Sequence, residues 1–215
     1  MALTNVEIEA NREEYLQLIK SIKREGANIE KLVEKLNNSD FFLAPASTKF
    51  HCDYDGGLCQ HSLNVYYNLL NIIQNKQGLD ASCYDEDSIK IVALLHDISK
   101  MNRYEKVPKN VKVYCADGKL YDEHGHYKWE TQMNWATRKQ KFVYGSHEMT
   151  SEYIARQFIP LTLDESVAIL HHMGSMAWDS AKDNIGEIFT QYPLALILYM
   201  ADMISSYIDE KQTNE

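Results

Sequence analysis

The chain has few cysteines, no long apolar run and no excess of positive charge, and these absences exclude several classes of protein. Its four cysteines, Cys52, Cys59, Cys83 and Cys115, form no C-x-x-C pair and no compact disulfide spacing, so reduced thiols are expected. The N-terminal residues are polar where a signal peptide needs an apolar core, and no stretch approaches the roughly 18 apolar residues of a membrane span. We therefore expect a cytoplasmic protein that does not enter a membrane.

The balance of charge limits the partners of this protein. The 215 residues carry a formal net charge of -9, which disfavours broad attraction to nucleic acid or to an anionic membrane surface. A small basic pocket for one phosphate is compatible with that charge. Hydrophobic residues make up 45% of the chain, which is enough for one sizeable core, and we expect a single domain over residues 1–215.

Apolar residues recur at helical spacing over most of the chain, and this period predicts an all-α protein. We expect N-terminal helices within residues 5–38, packed on a core of about residues 40–210. Further helices are predicted from about Gly57, from about Asp85 to Lys100, from about Ser146, after a capping box at Thr162, and from about Tyr192 to Lys211.

One segment, around residues 107–145, interrupts the helical period. Val111, Val113 and Cys115 alternate with polar or amphipathic residues, and Asp117-Gly118 is a hairpin turn signal. We predict a small β-hairpin insertion on the helical body. Its aromatic residues would either cover the helical core or form a lid that stacks on a nucleobase; they are Tyr114, Tyr121, Tyr127, Trp129, Trp135 and Tyr144.

Two apolar helices carry ionisable residues where apolar ones are expected. Asp202 lies within the run LALILYMADMISSYI, and His96 and Asp97 close the equally apolar segment IKIVALLHDISK. An isolated carboxylate buried in such a helix costs several kcal/mol of desolvation, so a positive group must face it. Metal ions held by histidines are the best candidates. The two positions together predict a metal site inside a helical core.

Four of the eight histidines lie on separate predicted helices, next to apolar residues that turn those helix faces inward. They are His61, His96, His147 and His171. Neutral imidazole is a common ligand for Zn, Fe, Mn, Co and Ni, and a carboxylate such as Asp97 can bridge two ions. A single histidine is more often a core or surface residue than a ligand. We predict two divalent transition-metal ions. This prediction depends on the whole set of histidines and carboxylates and on their order along the chain.

The order of these residues, H…HD…H…H…D, resembles the pattern of the HD-domain metal-dependent phosphohydrolase superfamily. The resemblance covers roughly residues 40 to 210. The segments GGLCQHSLNV, ALLHDISK and GSHEMTS…AILHH are most similar to the HD domain of YhaM-type bacterial 3′-5′ exoribonucleases. In those nucleases an oligonucleotide-binding barrel precedes the HD domain, whereas the first 40 residues here are helical and acidic. We therefore expect a small phosphate ester or a nucleotide as substrate, and not extended nucleic acid.

The resemblance implies six metal ligands. One ion would be bound by His61, His96, Asp97 and Asp202, and the second ion by Asp97, His147 and His171. His172 either replaces His171, supports a ligand by a hydrogen bond, or faces the substrate, because adjacent helical positions point about 100° apart. We rank His171 first.

The resemblance also implies a catalytic role for Asp97 and Lys100. The ions would make hydroxide available near neutral pH for attack on phosphorus. Lys100 follows His96 by about one helical turn, where its ammonium would bind a phosphate oxygen; read alone, it is a cation at a helix C-terminus. Further candidates for substrate binding are Arg103, His172 and His51, although His51 is also compatible with an exposed loop.

Three functions are compatible with this set of ligands. The first is a phosphohydrolase that cleaves a phosphomonoester or a phosphodiester of a nucleotide or other small molecule. The second is a di-iron oxygenase, because HD-fold proteins similar to inositol oxygenase hold two irons with the same ligands. The third is a nucleotide-binding HD module without turnover. The ligand types suit Fe, Mn, Ni, Co and Zn alike, so the sequence does not select the metal.

Overall fold

Helices form most of the protein, together with one small antiparallel sheet. The structure, a computed structural model, describes residues 2–76, 84–139, 145–176 and 184–211. Within these ranges the α-helices are α1 (Asn5–Lys20), α2 (Ile29–Asn37), α3 (Gly57–Asn75), α4 (Glu86–Leu95), α5 (His147–Arg156), α6 (Leu163–His171), α7 (Ile185–Gln191) and α8 (Pro193–Ile204). The strands are β1 (Tyr104–Tyr114), β2 (Leu120–Asp122) and β3 (Gly125–Thr137). The predicted helical body with a β-hairpin is confirmed at this level.

Two helices end at other residues than the helical period of the sequence predicted. The helix expected to reach Lys100 stops at Leu95 and continues as a single 3₁₀ turn over Ile98–Lys100. The last helix ends at Ile204 and continues as a π-helical turn over Ser205–Asp209. Both irregular turns lie beside the ionisable residues of the apolar helices, which is where helical geometry is often altered for function.

The core is one continuous cluster of buried side chains that draws on the N-terminal helices as well as the later ones. Helix α3 packs against α1, α4 and α8, and α6 packs against α5 and α8. The N-terminal helix is tied to the centre by Tyr15, whose fully buried hydroxyl donates a 2.7 Å hydrogen bond to the Leu94 carbonyl. Helix α1 therefore braces the end of α4, immediately before His96.

Helix α8 is strongly apolar, and half of its 12 residues are buried, where it packs against α3 and α6. Pro193 occupies its first turn, where a missing N–H costs nothing. Among the described residues no single helix is long and apolar enough to cross a membrane; Ile185–Gln191 and Pro193–Asp209, bent by 113° relative to each other, meet the length and composition criteria only as a pair.

The sheet has the order β1-β3-β2, and the β1–β3 register runs from Tyr104 opposite Thr137 to Tyr114 opposite Tyr127. Tyr121 and Trp129 do not cover the helical core as one sequence interpretation expected, whereas Trp135 is partly buried and donates a 2.9 Å hydrogen bond to Asp55. Tyr121 and Trp129 are 70% and 53% exposed, because the hairpin extends away from the helices and only its base, at Tyr104, is buried. Cys83 and Tyr144 lie outside the described residues.

A buried ion pair joins the start of α6 to the N-terminal segment. Arg24 Nη2 lies 2.6 Å from Glu165 Oε1, and the Glu165 side chain is fully buried. Ser88 donates to the same oxygen, and Glu165 closes a capping box with Thr162. Burial by itself raises the pKa of Glu165, but the hydrogen bonds from Arg24, Ser88 and the Thr162 backbone outweigh it and lower that pKa.

We predict that Tyr15→Phe lowers the free energy of unfolding by about 1 kcal/mol, because it removes one buried hydrogen bond. Urea unfolding followed by circular dichroism measures this loss. The matched control is Tyr67→Phe, which removes a hydroxyl from a half-exposed tyrosine bonded to Glu14 and is expected to change stability by less than about 0.5 kcal/mol. Equal losses in the two variants would contradict the bracing role of Tyr15.

We also predict a pH-dependent contribution from Glu165. Because its pKa is lower in the folded chain, its stabilisation is complete above the ordinary value of 4.5 and is lost as the pH falls through the folded value. The difference in unfolding free energy between wild type and Glu165→Gln should therefore shrink between about pH 6 and about pH 3. Urea unfolding across this range is the measurement, and a difference that stays constant would refute the assignment.

Candidate metal centre

His96 and Asp97 lie where α4 gives way to the 3₁₀ turn, and both are almost completely buried. The Nδ1 atom of His96 is 2.8 Å from the Ala93 carbonyl. A carbonyl only accepts hydrogen bonds, so Nδ1 must be the protonated nitrogen. In the neutral ring the lone pair is then on Nε2, which faces the interior of the cluster. This tautomer is the one that suits a metal ligand.

His61 is held in place by the close packing of two glycines at the start of α3. Gly56 has a left-handed φ of 83°, and a Cβ on Gly57 would lie 2.0 Å from the Cys52 carbonyl oxygen. Only glycine allows the preceding loop to approach the helix this closely. The glycine pair thus sets the entry of α3, which directs His61 into the core.

The first group of ligand atoms forms around Nε2 of His61. This atom is 3.3 Å from His96 Nε2, 3.7 Å from Asp97 Oδ2 and 3.2 Å from Asp202 Oδ1. Three helices supply these side chains: α3 supplies His61, the end of α4 supplies His96 and Asp97, and α8 supplies Asp202. The predicted convergence of these four residues is observed.

The second group forms around the other oxygen of the same carboxylate, Asp97 Oδ1. His147, the first residue of α5, and His172, immediately after α6, each have Nε2 3.7 Å from this oxygen. Nδ1 of His172 is 2.7 Å from the Ile169 carbonyl, which fixes its tautomer in the same way as that of His96.

The structure replaces His171 by His172 as the histidine of this second group. His172 is 1% exposed and belongs to the cluster, whereas His171 is partly exposed and is not among the ligand atoms that lie together. Successive residues at a helix end point about 100° apart, so only one of two adjacent histidines can face the same point. The ranking of His171 first is therefore corrected. His172 takes the ligand position and also lines the cavity described below.

Ligand atoms in these groups are close enough to hold a metal ion. His61, His96 and Asp97 form one such group, and Asp97, His147 and His172 form another. Asp97 is common to both and offers a different oxygen to each. Asp202 adjoins the first group through its contact with His61. Imidazole nitrogen and carboxylate oxygen are donors that suit Fe, Mn, Co, Ni and Zn.

The second group fits a cation because two of its buried atoms lack a hydrogen-bond partner among the described residues. Asp97 Oδ1 and His172 Nε2 are buried, and neither has a hydrogen-bond partner among the described residues. Burial lowers the pKa of His172, but Asp97 outweighs it and raises that pKa, because a carboxylate oxygen and a ring nitrogen need a proton or a cation between them. An unsatisfied buried polar atom costs about 1–3 kcal/mol, more when charged, and a bound cation removes that cost.

The charge of the first group is balanced within the protein itself. Burial by itself lowers the pKa of His61, but the Glu210 and Asp202 carboxylates outweigh it and raise that pKa to about 10. Burial raises the pKa of Asp202, yet His61 outweighs it and holds that pKa well below its usual range. A proton on His61 thus faces Asp202 in the metal-free chain. A cation held here would take the place of this proton on Nε2.

A cavity of about 340 Å³ opens onto the cluster. Asp97, His147 and His172 lie on its polar side, and its other walls are mostly apolar, with Phe50 and Tyr207 among them. Small-molecule sites are concave and largely apolar, with a few polar groups that orient the ligand. The arrangement therefore combines a polar centre with walls suited to an apolar portion of a ligand.

Lys100 lies between the cluster and the cavity, where its Nζ is 2.6 Å from Asp97 Oδ2. Burial lowers the pKa of Lys100, but the Asp97 carboxylate outweighs it and raises that pKa, so the ammonium is charged. Arg103 lines a separate cavity of about 200 Å³ near the base of the hairpin, which also includes Lys100 and His147. Lys100 and Arg103 thus both lie near the site as predicted; Lys100 lines both cavities and Arg103 only the smaller one.

His51 is partly buried and lines the 340 Å³ cavity, so the interpretation as an exposed loop histidine is wrong. Burial, together with the neighbouring His61, lowers the pKa of His51 to about 4. The ring is therefore neutral near pH 7. Its buried Nε2 has no hydrogen-bond partner among the described residues and is available to a bound molecule.

One residue of the site was missed in the sequence. Glu210 has both carboxylate oxygens 3.1 Å from His61 Nδ1. It follows the π-helical turn at the end of α8, and in a regular α-helix it would lie about 80° away from Asp202 around the axis. Its contact with His61 depends on a local change of helix type that composition and spacing do not reveal.

Comparison of the chain with models of known protein families, with curated proteins and with solved structures gives no match. The functional argument therefore depends on the geometry of the cluster.

We predict that His172→Ala lowers the amount of Mn²⁺ or Co²⁺ retained after dialysis, because it removes a ligand of the second group. The matched variant is His171→Ala, which changes the adjacent histidine and is expected to retain the metal content of the wild type. Elemental analysis of the purified proteins measures both. The opposite order, with His171→Ala losing metal and His172→Ala keeping it, would reject the geometric assignment.

Proposed function

We propose that this protein is a metal-dependent phosphohydrolase that acts on a nucleotide or another small phosphate ester. The observation that carries the proposal is the position of Asp97, whose two oxygens face two sets of imidazoles beside a small cavity. The resemblance of H…HD…H…H…D to the HD superfamily supports it, with His172 in the place given to His171. The single-domain HD fold is part of the same proposal.

The side chains divide into those that hold metal and those that meet the substrate. His61, His96, Asp97 and Asp202 would hold one cation, and Asp97, His147 and His172 the other. Divalent cations held in this way polarise a phosphoryl oxygen and lower the pKa of water. The buried donors keep fixed positions because the Nδ1 atoms of His96 and His172 donate to backbone carbonyls.

Lys100 supplies a fixed positive charge at the boundary of cluster and cavity. Its ammonium already meets the Asp97 carboxylate, and it has further donors for a phosphate oxygen on the cavity side. His51 adds a neutral ring nitrogen on the same cavity. A phosphate bound among these groups would leave the rest of its molecule against the Phe50 and Tyr207 walls.

The size of the cavity favours a small substrate. At about 340 Å³ it is near the lower end of the range typical of small-molecule sites, about 300–1,000 Å³. The net charge of -9 provides no general attraction for a polyanion. Both properties support a mononucleotide or a comparable ester over an extended strand.

The proposal predicts phosphate release in a screen of Mn²⁺, Co²⁺, Ni²⁺, Fe²⁺, Zn²⁺ and Mg²⁺ against nucleotides, cyclic diesters and aryl phosphates. Asp97→Ala should lose metal and activity together, because its carboxylate serves both groups. Lys100→Ala should lower kcat/KM by about 10- to 100-fold, the value of one charged hydrogen bond. The matched control is Lys106→Ala, which removes a hairpin lysine paired with Asp55 and should leave kcat/KM unchanged.

The outcomes of this screen separate the three candidate functions. Metal-loaded protein that releases phosphate from none of the substrates would rule out the phosphohydrolase. Oxygen uptake by the iron-loaded protein, followed with an oxygen electrode, would then favour an oxygenase. Nucleotide binding without phosphate release or oxygen uptake would identify a binding module.

A further inference from the structure

The buried carboxylate of Glu210 lies beside Nδ1 of His61, which is the ring nitrogen that faces away from the ligand cluster. Its side chain is 3% exposed, and both oxygens lie 3.1 Å from His61 Nδ1. Asn64, one helical turn after His61 on α3, donates a 2.8 Å hydrogen bond to Glu210 Oε1. The carboxylate is therefore held by two side chains of the same helix. Glu210 is not one of the six predicted ligands.

The π-helical turn explains how Asp202 and Glu210 both reach His61. Eight residues separate them, which in an α-helix of 3.6 residues per turn is about 2.2 turns and would place them about 80° apart around the helix axis. The turn over Ser205–Asp209 closes with a bond from the Glu210 N–H to the Ser205 carbonyl, five residues back. Such a turn takes up about one extra residue. The separation then approaches two full turns, and both carboxylates face α3.

The two carboxylates meet opposite edges of one imidazole. Asp202 Oδ1 is 3.2 Å from Nε2, and Glu210 is 3.1 Å from Nδ1. A metal-bound histidine commonly donates its second N–H to a carboxylate or carbonyl, which fixes the tautomer and makes the ligating nitrogen more basic. His96 and His172 use backbone carbonyls for this purpose, whereas His61 uses a charged side chain. His61 is thus the histidine with the strongest support of this kind among those three.

We infer that Glu210 is a positioning residue for the metal centre, which holds His61 with its proton on Nδ1 and its Nε2 directed at the cation of the first group. The inference rests on the proposed metal site and adds a residue outside the HD pattern to it. Glu210 meets no ligand atom of the second group among the described contacts, so its effect should be confined to one of the two cations.

The neighbouring Asp209 provides a matched control. It lies in the same π-helical turn and is also bonded to a side chain of α3, since Asn68 donates a 2.7 Å hydrogen bond to its Oδ2. It is exposed and has no contact with His61. Removing the Asp209 charge therefore tests the general effect of one less carboxylate in this turn, without altering the support of His61.

The test is a titration of the metal-free full-length chain with Co²⁺ alone, followed by calorimetry and by the visible absorption of bound cobalt. Glu210→Ala is expected to weaken cobalt binding to the first group by about 10- to 100-fold, the usual effect of losing such a support, and to change the cobalt spectrum. Asp209→Asn should stay within about twofold of the wild type. Melting curves in chelator show whether each variant folds.

A second variant keeps the inference testable should Glu210→Ala not fold. Glu210→Gln retains the shape of the side chain and an oxygen that accepts from Asn64, but it removes the negative charge. Its cobalt affinity should be lower than that of the wild type, and its cobalt spectrum should differ. Wild-type affinity and spectrum in Glu210→Gln would then overturn the inference.

The remaining outcomes distinguish the inference from the proposed function. Cobalt binding by Glu210→Ala with wild-type affinity and an unchanged spectrum would overturn the role of Glu210 and leave the metal site intact. Equal weakening in Glu210→Ala and Asp209→Asn would also overturn it, because the effect would then be one of general charge. A wild-type chain that takes up no cobalt would refute the metal site, and the inference with it.

Discussion

The whole site depends on a carboxylate, that of Asp97, buried at the end of an apolar helix. Such a group is stable only if positive charge faces it; here the chain supplies the ammonium of Lys100 and brings imidazoles from three other segments that could hold cations beside it. The irregular turn after α4 is part of this arrangement, because it lets His96 and Asp97 both face inward. The remaining helices can be understood as the scaffold that brings the partners of this carboxylate together.

Much of this arrangement could be predicted because ionisable residues stand within apolar helices, where apolar residues are expected. A carboxylate among leucines and isoleucines, as at Asp202, has few explanations, and the helical period locates such residues on inward faces. The glycine pair before His61 is similarly informative, since its backbone approach excludes any side chain. The hairpin was also recognisable from its alternation and its Asp-Gly turn.

The incorrect predictions have physical causes that a sequence pattern does not contain. His171 and His172 are both next to apolar residues, and only the orientation of the end of α6 decides which one is buried. Glu210 was missed because a regular helix would have turned it away from His61. The exposure of Tyr121 and Trp129 reflects how far the hairpin extends from the body, which composition does not encode. Each of these depends on a rotation or displacement of a few ångströms.

The ligands come from helices that are distant in sequence, from α3 near the start of the core to α8 at its end. Two ions, one on each side of Asp97, would together act as non-covalent crosslinks among five segments. The folding equilibrium would then depend on the free metal concentration. Free metal at one hundred times its dissociation constant adds about 2.7 kcal/mol to stability. The stability of the folded chain would therefore vary with the concentration of free metal around it.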